Sequence, residues 1–197
     1  MLKLRVMVRW LLLLVIYSAS LATSPLYAVD ATWVGGTNFL WHIPSNWSGN
    51  AAPNSSDFNV FIDSNAGVNS SITLQSSVGP ITIGNLTIDA GDGLLIGAPL
   101  TTSGIAGAGS IAIFDTTLTL GHGVFSRVLL SNGNVTLNQP GETIFLGTYF
   151  SGSSANTYTG LTTIENDAVL HLDKSNNTNA ISGDVLITSG GELTYFS

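Results

Sequence analysis

The chain has 197 residues, 9% of them charged, with a formal net charge of −7 and a mean hydropathy of +0.37. This lacks both the low hydrophobicity of a disordered chain and the charge density of a coiled coil, and the length suffices for one buried core. There is no cysteine, which excludes disulfides, thiolate metal sites and cysteine nucleophiles, while Ser, Thr and Asn supply 60 residues beside 22 Gly, the composition of an all-β protein.

Residues 1–28 read as a secretory signal peptide. Lys3, Arg5 and Arg9 form a positive start, residues 10–16 an unbroken apolar core, and Ser18, Ala19, Ser20 and Ala22 the small residues that allow cleavage after Ala22 or Ala28. The stretch from Trp10 to Ala22 is 13 residues, short of the roughly 20 that cross a bilayer, so no membrane span is expected in the mature chain. Beyond residue 28, Arg127 and Lys174 stand against twelve acidic residues, a net charge of −10. No basic patch can be built from two cations, so nucleic acid and anionic membrane surfaces are not expected partners.

Residues 29–63 concentrate Trp33, Trp41 and Trp47 with Pro44 and Pro53 ahead of a regular pattern. This reads as an irregular N-terminal cap closing the open end of a repeat array. The same three indoles, Trp33, Trp41 and Trp47, are the candidate contacts for a glycan, since aromatic faces stack on sugars.

Residues 64–197 show apolar alternation of period two broken by Gly, Asn and Asp, with no run of period 3.6. A unit of form Gly-x-apolar-x-apolar recurs as Gly84-Asn-Leu-Thr-Ile88, Gly109-Ser-Ile-Ala-Ile113, Gly133-Asn-Val-Thr-Leu137, Ala168-Val-Leu-His-Leu172 and Gly191-Glu-Leu-Thr-Tyr195, at intervals of 25, 24, 35 and 23 residues. These intervals imply one coil of about 24 residues repeated, with an insertion around residues 150–156. One coil cannot bury its apolar face alone, so the expected fold is all-β, a parallel β-helix (β-solenoid) of stacked coils. An antiparallel sandwich remains the competing architecture, since it also produces short strands with frequent turns. In the solenoid, Leu86, Ile88, Ile111, Ile113, Val135, Leu137, Leu170 and Leu172 point inward, and Thr87, Thr136 and His171 outward.

Thr32-Trp-Val-Gly-Gly36, Trp41, Ser45-Asn-Trp47, Ala52-Pro53, Asp57 and Val60-Phe-Ile62 resemble the opening of bacterial proteins with autotransporter-associated β-strand repeats. Asn156-Thr-Tyr-Thr-Gly160 and the residues through Ile164, followed by residues 166–172 and 190–195, look like one such repeat and the start of the next. Leu161 and Ala168 stand where that family usually has Gly. The resemblance implies an exported passenger of a Gram-negative bacterium, built as a right-handed β-helix and usually followed by an outer-membrane barrel. Residues 29–197 leave no space for such a barrel, so the expectation is a passenger-like fragment without its translocator.

Catalytic signals are weak. His42, His122 and His171 have no ligand spacing, and there is no nucleophile elbow, phosphate loop or cofactor motif. Asp89-Ala-Gly-Asp92-Gly93 faintly resembles a calcium loop but reads as a turn. Asp57, Asp63 and Asp115 are the carboxylates open to a polysaccharide-cleaving role. Asn46, Asn54, Asn69, Asn85, Asn134 and Asn176 match the N-glycosylation pattern and read instead as turn asparagines in left-handed geometry. The expected function is a non-enzymatic surface or secreted protein with adhesive or spacer character and an unknown surface or glycan ligand. The alternative is a carbohydrate-binding or polysaccharide-cleaving protein. An unpaired coil at residues 184–197 invites self-association through the C-terminal edge.

Overall fold

Inward-facing residues change phase along the longer strands. In β4 (Ile81–Ile88), Ile81 and Ile83 are buried and the inward series resumes at Leu86 and Ile88. In β6 (Leu100–Gly107), Leu100 and Thr102 are followed by Ile105. Strict alternation cannot supply a three-residue step, so the chain turns a corner there and one strand serves two faces.

A computed structural model describes residues 28–35, 39–62, 69–125, 129–138 and 148–195. It shows a β-solenoid of about six turns in which every pairing between strands is parallel, excluding the antiparallel sandwich. Each turn visits three faces. The first is a four-stranded sheet of β3 (Ser71–Leu74), β5 (Gly93–Ile96), β7 (Ser110–Ile113) and β9 (Leu129–Ser131). The second stacks residues 81–83 of β4, 100–102 of β6 and 117–120 of β8 (Thr117–Phe125) with β10 (Asn134–Leu137), β12 (Thr162–Ile164) and β14 (Val185–Ile187). The third runs from β1 (Val29–Thr32) and β2 (Phe58–Ile62) through the later halves of β4, β6 and β8 to β11 (Thr148–Gly152), β13 (Val169–Lys174) and β15 (Glu192–Tyr195).

The core is a set of inward columns. Ile72, Leu94, Ile111 and Leu129 stack on the first face and Ile81, Leu100, Leu118 and Val135 on the second, all buried. Each inward Leu or Ile contributes about 1.5–3 kcal/mol by leaving water. Leu86, Ile88, Ile111, Ile113, Val135, Leu137 and Leu170 are buried as the alternation predicts, and Leu172 is half-buried near the last turn.

Four expectations are corrected. The central coil is shorter than 24 residues: Leu86 pairs with Ile105, Leu100 with Leu118 and Leu118 with Val135, offsets of 19, 18 and 17. The Gly84, Gly109 and Gly133 units lie on three different faces, so their intervals measure one coil plus one corner. The extra chain of the long interval lies between β10 and β11, spanning residues 139–147 outside the described set, whereas residues 150–152 are paired in β11. The segment from 29 to 63 is not irregular throughout, because β1 and β2 are in register with β4 and only the chain between them leaves the ladder. His171 is not a surface residue: it is 2% exposed, and its Nδ1 lies 2.5 Å from Thr194 Oγ1 in the next coil. Alternation fixes the side of a strand and not what lies over that side.

Candidate functional site

Trp33, Trp41 and Trp47 converge in one cluster. Trp33 meets Trp47 edge-on at 5.1 Å between ring centroids, and Trp41 meets Trp47 at 4.8 Å, the perpendicular geometry that aromatic quadrupoles favour. Local chain chemistry builds this cluster: Pro44 opens a 3-10 turn through Asn46, and a Trp33–Trp47 bridge folds the segment back on itself. Trp41 Nε1 donates to Pro53 O at 2.9 Å and Trp47 Nε1 to Trp41 O at 2.7 Å. Leu40 bridges to Thr73 and Trp41 N donates to Thr73 O, which seats the segment on the first edge of the β3 face. All three indoles are 3% exposed or less, so the cap encloses their ring faces. Trp33 Nε1 and Asn46 Oδ1 are buried without hydrogen-bond partners.

A second cluster explains the Asn156-Thr-Tyr-Thr-Gly160 element. Asn156 is 1% exposed; its Oδ1 accepts from Leu129 N at 3.0 Å and its Nδ2 donates to Ala180 O at 2.7 Å, joining three successive turns. Tyr158 is fully buried, with its hydroxyl 2.6 Å from Thr162 Oγ1, and burial pushes the phenol up to about 12 against the opposing effect of that hydrogen bond. A Cβ on Gly160 would overlap the Gly133 carbonyl oxygen, and one on Gly183 the Gly160 carbonyl oxygen. Glycine at this corner lets adjacent coils approach.

The other candidates are dispersed. Asp92 is buried and its Oδ1 accepts from Ser70 N at 2.6 Å, while Asp92 N donates to Asp89 O, so residues 89–93 make a turn whose carboxylate ties down the neighbouring coil. Asp57 bonds with Ser55 before β2, Asp115 pairs with Asn132 after β7, and Asp63 lies outside the described residues. Among the described residues no three His, Asp or Glu side chains gather at a metal-binding distance. The glycosylation-pattern asparagines do not take left-handed φ; Asn50, Asn166 and Asn177 do. Asn46 donates its amide to Leu40 O, Asn85 donates to Asn59 Oδ1 and Asn134 accepts from Leu161 N, so these three serve as hydrogen-bonding groups of the fold.

Sequence reading missed one group. Lys174 is 6% exposed and lines a cleft of about 500 Å³ beside the turn that follows β13. Burial lowers its amine to about 8. The signal was present, since Lys174 is the only lysine after residue 3 and follows an apolar strand. No known protein family, curated protein or solved structure matches the chain.

Proposed function

We propose that the chain is an exported, non-enzymatic β-solenoid of passenger type, carried to the surface of a Gram-negative bacterium as an adhesive or spacer element. The observation that carries this reading is the in-register parallel ladder. It sets Thr82, Thr101, Thr119, Thr136 and Thr163 in one outward column, one small polar side chain per coil. Such a surface repeats along its length and is suited to extended contact rather than to convergent chemistry. The resemblance of residues 32–62 and 156–195 to autotransporter-associated repeats, and the signal-like residues 1–28, support the same route. The glycan reading would require the cap to open, because stacking needs a free indole face.

Expression of the full chain in a Gram-negative host, followed by fractionation and N-terminal sequencing, tests the proposal. Material outside the inner membrane beginning near Thr23 or Val29 supports it. Protein retained in the cytoplasm with Met1 intact overturns it.

A further inference from the structure

Residues 29–197 carry twelve carboxylates and two cations, so the placing of a cation is informative. Lys174 sits at the end of β13, in register with Gly152 of the preceding coil, and the chain then turns through Ser175, whose carbonyl accepts from Thr178 N at 3.0 Å. Asn177 holds a left-handed φ of 64° in that turn. The cleft beside it is walled by Lys174, Ser175, Asn177 and Thr178 on one side and by Leu172 and Tyr195 on the other. None of its nine lining residues is acidic. An almost wholly buried cation in an acid-free cleft is poorly screened by water and favours a charge-assisted hydrogen bond.

We infer that this cleft is a binding site for a small hydroxylated carboxylate, of the chemical class of a uronic acid, with Lys174 taking the carboxylate. The Ser, Thr and Asn groups supply donors and acceptors for ring hydroxyls, and Tyr195, 66% exposed, offers a ring face to the apolar side of a sugar. The cleft volume lies in the range of small-molecule sites and exceeds what one sugar ring fills. At neutral pH an amine of about 8 remains mostly protonated and able to pair with an anion. The site stands apart from the proposed export and adhesion, and either can fail without the other.

The test is competitive acetylation of the purified protein, expressed from the full chain, with the peptide containing Lys174 followed by mass spectrometry. Excess D-glucuronate should slow acetylation of Lys174 several-fold, D-glucose should leave it unchanged, and the N-terminal amine should report no general quenching. Saturation-transfer NMR should show D-glucuronate contacting the wild type and not Lys174→Met. Equal acetylation rates with and without D-glucuronate, or equal protection by D-glucose, overturn the inference even if Lys174→Met does not fold.

Discussion

At the scale of single residues, inward and outward positions carry very different energies. Replacing Leu137 by Ala removes a buried side chain from a column and should cost about 2–5 kcal/mol, while Thr136→Ala, on the half-buried outer side, should cost much less. Urea denaturation measures both, and equal losses would contradict the register. Asn156→Ala strips partners from Leu129 N and Ala180 O at once, so a loss of roughly 2–5 kcal/mol is expected in the same assay. In the cap, Trp33→Phe should be better tolerated than Trp47→Phe, because only the Trp47 indole N–H has a partner to lose. Lys174 and Tyr158 give opposite pH signatures. Between about 8 and 10.5 the unfolded chain keeps a proton that folded Lys174 has shed, so this site's contribution to stability rises with pH. Between 10.0 and about 12 folded Tyr158 keeps a proton the unfolded chain has lost, and stability falls. The wild type should therefore gain stability relative to Lys174→Met from pH 7 to 10, and a constant difference would contradict the burial of the amine. Local alternation made the inward Leu and Ile legible in the sequence; the burial of His171 and Lys174 was not, because it depends on the coil stacked next to them.

At the scale of elements, the strands were legible and their period was not. Short alternating runs ending at Gly or Asn mark each strand, yet nothing in a run says which of three faces it occupies. Two units 24 or 25 residues apart can therefore be one coil plus one corner. The true spacing emerges only from pairings such as Leu100 with Leu118. Corners are where glycine matters most: Gly160→Ala should destabilise the protein while leaving strand content intact by circular dichroism, since its Cβ would press on the Gly133 carbonyl oxygen of the adjacent coil. A neutral Gly160→Ala would mean that the coils are less closely stacked than this corner requires. Closure by the Trp segment was legible as aromatic clustering ahead of the repeats, whereas the continuation of the sheet into β1 and β2 was hidden by their short length.

At the scale of the whole molecule, the two ends differ. At the start, the Trp33, Trp41 and Trp47 cluster covers the core. At the other, Val185, Leu186 and Ile187 are 41–46% exposed, and β14 and β15 each pair on one side only among the described residues. Edges of this kind recruit other chains, so we expect self-association through residues 184–197, relieved by replacing Leu193 and Tyr195 with Lys. Sedimentation as a clean monomer at tens of micromolar would contradict this. The stacked ladder itself is tested most directly by paired nitroxide labels, which the absence of cysteine allows to be placed without background. Labels at Thr101 and Thr136 stand two coils apart, and labels at Thr82 and Thr163 four. With coils spaced about 4.8 Å apart, the backbone separations are about 10 Å and about 19 Å. Electron paramagnetic resonance distances that double from the first pair to the second bear out the solenoid; a Thr82–Thr163 distance equal to or shorter than the Thr101–Thr136 distance contradicts it.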